Sequence, residues 1–123
     1  MHVLVVDDST TARKFHRQIL ETAGFTVEEA MNGLEALERA FAAAPPDLLV
    51  VDVNMPRMDG YALLRALRTE PALRDIPAIM ASTEREDADA ERAFAAGANL
   101  YLVKPVQPDT LARFARALIG ATA

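Results

Sequence analysis

The chain has 123 residues, half of them apolar and a quarter charged, which is the size and composition of one folded domain with a single core. Its net charge of −5 argues against sequence-independent nucleic-acid binding, which needs many Lys and Arg facing phosphates, and the absence of cysteine excludes disulfides and thiolate metal sites. No apolar run approaches the roughly 20 residues of a membrane span and no signal segment opens the chain, so a cytoplasmic protein is expected.

In chain order, His2–Val6 (HVLVV) is a continuous β-branched apolar run, the pattern of a strand buried on both faces. A helix follows, with Ala12, Phe15, Ile19 and Ala23 at three-to-four spacing and Gly24 placed to end it. Phe25–Ala30 (FTVEEA) alternates instead, with Phe25 and Val27 on one face and Thr26 and Glu28 on the other. That pattern suits a strand at a sheet edge. Leu34, Leu37, Ala40 and Phe41 mark a second helix, closed off by Pro45-Pro46. Asp47–Val51 (DLLVV) is again a buried strand, and Tyr61 to Thr69 makes the third helix. Ile76–Ala81 and Asn99–Val103 read as two more strands, flanking a helix over Asp87 to Ala96 that Gly97 can terminate. The last helix has Pro108 in its first turn and buries Leu111, Phe114, Ala115 and Leu118.

Five β-α units in succession predict an α/β fold, a doubly wound five-stranded parallel sheet with helices on both faces. With the second strand at an edge, the expected order is 2-1-3-4-5, a flavodoxin-like (βα)5 arrangement occupying residues 1–123 as a single domain. Winding reverses between strands 1 and 3, and their carboxyl ends open a crevice where ligands bind in such sheets.

The residues at those ends are unusual together. Strand 1 ends in Asp7-Asp8, strand 3 in Asp52, strand 4 in Ser82-Thr83 and strand 5 in Lys104-Pro105. Three carboxylates in one crevice repel each other; Lys104 supplies one compensating charge, and a divalent cation would supply the other two. Oxygen ligands without His or Cys point to Mg²⁺. An aspartate is already ionised near neutral pH and needs no adjacent base to act as a nucleophile toward phosphorus. Cation and lysine would then neutralise the oxygens of a transferred phosphoryl group, and Ser82 could donate a hydrogen bond to it.

The set VVDDS, VVDVNMPRMDG, IMAST and YLVKP resembles the receiver domain of two-component response regulators, particularly the single-domain chemotaxis type, over essentially the whole chain. The resemblance implies phosphorylation of Asp52 by a histidine kinase. It further implies Mg²⁺ held by Asp8, Asp52 and the backbone carbonyl of Asn54, with Asp7 acting through water, and a cis Lys104–Pro105 bond. Lys104 would contact the phosphoryl group. Ser82 would move toward it and Tyr101 would turn inward, changing the surface of helix 4, strand 5 and helix 5 that a flagellar-motor or phosphorelay partner reads. Asn54 and Glu84 flank the phosphoryl position and would order the water of self-dephosphorylation, on a seconds-to-minutes scale. Two positions depart from the family: Thr83 stands where a small residue is usual and could obstruct Tyr101, and Val106 stands where phenylalanine is frequent and should leave the partner surface less aromatic.

Simpler roles suffice elsewhere. Ser9 or Thr10 should cap the first helix, Asp59 should help turn the chain into the third, Met55 and Met58 should pack the loop, and the isolated His2 and His16 carry no expected function. Three rival functions remain at this point: a flavodoxin-like FMN-binding module, a small-molecule phosphatase with an aspartate nucleophile, and a receiver-like module that never takes phosphate. The chain stops at GATA, a short tail after the last helix, so a stand-alone regulator is expected; the alternative is a receiver cut from a larger regulator, and a monomer is expected in either case.

Overall fold

The structure, a computed structural model, describes residues 1–42 and 44–122. Five strands and five helices alternate: β1 (His2–Val6), α1 (Thr10–Thr22), β2 (Thr26–Ala30), α2 (Gly33–Ala40), β3 (Leu48–Asp52), α3 (Gly60–Thr69), β4 (Ala78–Ser82), α4 (Asp87–Ala96), β5 (Leu100–Val103) and α5 (Pro108–Thr122). All strand pairs are parallel and the order is β2-β1-β3-β4-β5, as the alternation and the half-polar second strand predict. β1 has the expected bounds, whereas the other four strands begin one or two residues later than their sequence patterns suggest, with Phe25, Asp47, Ile76 and Asn99 left outside.

The two-residue strand period splits the core in two. Leu4, Val6, Leu49, Val51 and Met80 face Ala36 and Ala40 of α2, Leu63, Leu64 and Leu67 of α3, and Ala93 and Ala96 of α4. Val3, Val5, Leu48, Val50 and Ile79 face Ile19 and Leu20 of α1 and Leu111, Ala115 and Ile119 of α5. A sheet covered on both sides is why its strands are continuously apolar rather than alternating.

Helix boundaries follow local chemistry. Ser9 Oγ accepts from Ala12 N at 3.2 Å and caps α1, and Asp59 Oδ1 accepts from Ala62 N at 2.8 Å and caps α3. Gly24, at φ +100°, and Gly97, at φ +115°, take the left-handed conformation that ends α1 and α4.

Three expectations need correction. The inward face of α1 is Arg13, His16, Ile19 and Leu20, whereas Phe15 is exposed. Leu34 and Phe41 at the ends of α2 are also exposed; Gly33, Ala36 and Ala40 are its buried residues, with Leu37 partly buried against the same half of the core, and a Cβ at Gly33 would meet Met58. Val106 is 4 % exposed and packs with the α1/α5 half of the core, so it is no part of a partner surface.

Candidate functional site

The carboxyl ends of β1, β3, β4 and β5 lie side by side, and the expected polar residues come together there. One carboxylate oxygen from each of Asp7, Asp8 and Asp52 lies within 4.8 Å of the others. Lys104, just past β5, reaches across the sheet end: its Nζ donates to Asp7 Oδ2 at 2.7 Å and to Asp52 Oδ1 at 3.0 Å. Asp7 and Asp52 are buried and Asp8 is exposed, so the cluster has a closed floor and one open side.

Local backbone holds each member. Asp7 N donates to Ala30 O at 3.1 Å, and the Asp7 carboxylate accepts from Ser9 N at 2.9 Å. Lys104 N donates to Ser82 O at 2.8 Å, and the next peptide bond, Lys104–Pro105, is cis. Beyond Asp52 the chain returns tightly, Gly60 N donating to Val53 O at 2.9 Å. A Cβ at Gly60 would collide with the Asp52 carbonyl oxygen, so glycine lets α3 start against the end of β3. Arg57, at φ 71°, holds the left-handed conformation in the same connection.

The electrostatics are strained in one direction. Burial pushes the Asp52 carboxyl up to about 6; the Lys104 hydrogen bond opposes this, and the charges of Asp7 and Asp8 add to it. Lys104 is raised as well: burial alone would lower it, but its bonds to Asp7 and Asp52 outweigh that. The two directions agree physically, because one ammonium is bonded to two of three clustered acids. It stays charged while the site keeps an excess of negative charge. A hard divalent cation fits that excess and the all-oxygen donor set.

The remaining expected residues surround this cluster. Ser82 ends β4, is buried, and its Oγ accepts from Glu84 N at 3.1 Å. The cap of α4 is Glu86, with Asp89 Oδ2 accepting from Glu86 N at 3.1 Å, so Ser82 does not serve as that cap. Asn54 and Glu84 are both exposed on the rim. Tyr101 is half-buried, its ring packed on the α2/α3/α4 half of the core and its hydroxyl donating to Glu84 O at 2.8 Å. Thr83 is exposed and lines a shallow cavity with Ser9, His16, Lys104 and Pro105.

Two residues near the cluster were given no role from the sequence: Arg13 was not considered and His16 was set aside. Arg13, on α1, is buried and donates to the Asp7 backbone carbonyl at 2.9 Å. His16, one turn on, is also buried; burial first, then the charge of Lys104, lowers its basicity. A signal for Arg13 did exist, since the alternation of β2 places Glu29 on the inward side with Val27, where a carboxylate needs a cation.

The sequence pattern of the response regulator receiver domain matches residues 3–116. The chain belongs to that family. It is 39 % identical over 121 residues to the Helicobacter pylori chemotaxis protein CheY1, covering 98 % of each chain. Among solved structures, the Vibrio cholerae chemotaxis protein CheY4 superposes with a TM-score of 0.87 at 37 % identity, over 95 % of this chain and 97 % of that one. The receiver domain of a Pseudomonas aeruginosa sensor histidine kinase, solved with a magnesium ion coordinated in its active-site cleft, gives 0.89 at 28 % identity over 97 % of each. The chain is thus a CheY-like receiver of the two-component response-regulator type. Strand order alone does not separate a receiver from a flavin-binding module; the family match does. No helix among the described residues is long and apolar enough to cross a membrane.

Proposed function

We propose that this receiver, one domain over residues 1–123, takes a phosphoryl group from a histidine kinase onto Asp52 and signals to a protein partner, in a chemotaxis setting. The observation that carries this is the meeting of Asp7, Asp8 and Asp52 within 4.8 Å under a lysine bonded to two of them. Asp8, Asp52 and the backbone carbonyl of Asn54 would hold Mg²⁺, with Asp7 acting through water; the magnesium-bearing relative supports the choice of ion. When bound, the ion supplies charge neutralisation for the phosphoryl oxygens.

In the transfer, an Asp52 carboxylate oxygen forms the new bond to phosphorus as the phosphorus–nitrogen bond of the kinase's phosphohistidine breaks. The imidazole keeps that electron pair. With its carboxyl at about 6, Asp52 is mostly ionised at neutral pH and needs no base. Lys104 neutralises a phosphoryl oxygen, and the Ser82 hydroxyl, released from Glu84 N, donates to another. Tyr101 and Ser82 couple this to the surface of α4, β5 and α5, since the tyrosine hydroxyl already rests on the Glu84 carbonyl two residues beyond Ser82. In a separate hydrolysis step, Asn54 and Glu84 order a water whose oxygen bonds to phosphorus as the bond to the Asp52 oxygen breaks; inorganic phosphate leaves, the water's proton passes to it or to solvent, and the Asp52 carboxylate is regenerated. The protein is a phosphoacceptor rather than a turnover enzyme. It acts as a cytoplasmic monomer whose partner is a flagellar-motor or phosphorelay component.

The test is incubation with a small phosphodonor and Mg²⁺, comparing the native chain with Asp52→Asn on a phosphate-retarding gel. A shift in the native chain alone is expected. Equal modification of both would move the acceptor elsewhere, with Asp8 the first alternative.

A further inference from the structure

We infer that Arg13 is a positioning residue for the metal and phosphoryl site, acting through the Asp7–Asp8 peptide rather than by touching a ligand. This rests on the phosphoacceptor reading above. Arg13 lies on the sheet-facing side of α1 with its side chain 8 % exposed, where packing alone would favour an aliphatic residue. Its fork is divided between two elements. One terminal nitrogen donates to Asp7 O at 2.9 Å, Nε donates to Glu29 Oε1 at 2.7 Å, and the other terminal nitrogen lies 3.5 Å from Thr10 Oγ1.

Glu29 anchors this arrangement. Its second oxygen accepts from Lys14 Nζ at 2.7 Å and from an Arg17 terminal nitrogen at 2.6 Å. The neighbouring residue of β2, Ala30, accepts the Asp7 N–H at 3.1 Å. Asp7 is therefore gripped at both of its backbone groups from the same end of β2, directly at N–H and through Arg13 at C=O. The carbonyl of Asp7 belongs to the peptide plane that leads into Asp8. Fixing that plane fixes where the exposed Asp8 carboxylate starts from, and among the described residues no side-chain hydrogen bond or ion pair steadies Asp8 itself. Groups that orient a ligand from behind commonly matter to metal affinity by about tenfold or more.

The experiment is calorimetric titration of the unphosphorylated protein with MgCl₂, alongside urea unfolding, for wild type, Arg13→Met, Arg13→Lys and Glu29→Ala. Arg13→Met is expected to bind Mg²⁺ about tenfold more weakly while remaining folded. Arg13→Lys keeps the charge but cannot serve both partners, and should lie close to Arg13→Met; full recovery by lysine would show that charge alone acts and would overturn the proposal. Should Arg13→Met fail to fold, Glu29→Ala carries the same test from the other end of the pair, weakened binding supporting the inference. Unchanged Mg²⁺ affinity with a lowered unfolding midpoint would reduce Arg13 to a structural residue. A wild-type protein that ignores Mg²⁺ would sink the phosphoacceptor reading as well, which separates the two failures.

Discussion

Removing the phosphoacceptor charge should make the metal-free protein more stable, and only above a particular pH. In the folded chain the Asp52 carboxyl is moved from its usual 3.8 to about 6, chiefly by burial. An acid raised in this way binds its proton more tightly folded than unfolded, so stability falls as pH climbs between those two values and levels off above the higher one. The full penalty corresponds to about 3 kcal/mol. Asp52→Asn removes that charge, and the value of about 6 already includes the opposing 3.0 Å hydrogen bond from Lys104, so that bond is not subtracted a second time. The net expectation at pH 7 is therefore a gain of about 2–3 kcal/mol, shrinking toward zero near pH 4. The assay is urea unfolding followed by far-ultraviolet circular dichroism from pH 4 to pH 8 with a chelator present, since the chain has no tryptophan. Other acids titrate in both proteins and cancel in the difference. Adding Mg²⁺ at ten times its dissociation constant should restore about 1.4 kcal/mol to the wild type and less to the variant. A variant less stable than wild type at pH 7, or a difference that does not change with pH, would refute the electrostatic account of the site.

Other consequences can be checked separately. Lys104→Met should slow phosphorylation by a small phosphodonor by about a hundredfold, because one of the few donors aimed at the phosphoryl oxygens is lost; a rate within a factor of about two of wild type would deny lysine that role. Gly60→Ala should destabilise the fold by about 2 kcal/mol or more in urea melts, since its new methyl meets the Asp52 carbonyl, whereas Arg57→Gly in the same connection should be neutral or stabilising. Phosphorylated wild type should lose its label within minutes in Mg²⁺ buffer and last longer in Asn54→Ala or Glu84→Ala, as read from timed gels; persistence of the wild-type label overnight would contradict the proposed water-ordering pair. Leu67→Ala, at a site with no exposure in the α2/α3/α4 half of the core, should cost about 2–5 kcal/mol while leaving the phosphorylated residue unchanged by peptide mapping.

Some of this was open to inspection before any coordinates. HVLVV and DLLVV have the pattern of strands covered on both sides, and each runs straight into an acid, so the crevice and its charge follow from strand direction. The inward face of α1 was not open in the same way. Ala12, Phe15, Ile19 and Ala23 form a plausible apolar stripe, yet the helix turns Arg13 and His16 inward and leaves Phe15 to solvent. A helix with few apolar residues allows more than one register, and the choice depends on partners that local spacing does not contain.

What the sequence by itself determined is the order of elements, the strand arrangement and the identity of the polar residues at the strand ends, because those depend on periodicities of two and 3.6 residues that act over a single segment. What only the tertiary structure decided is which of those groups share a hydrogen bond. Lys104 meets Asp7 across 97 positions of chain, Arg13 meets Glu29 across 16, and Val106 disappears into the core. Such contacts join segments whose separation is set by packing of the whole sheet. Burying a charge is tolerable only where an opposite charge arrives from another element, and that arrival is a property of the fold.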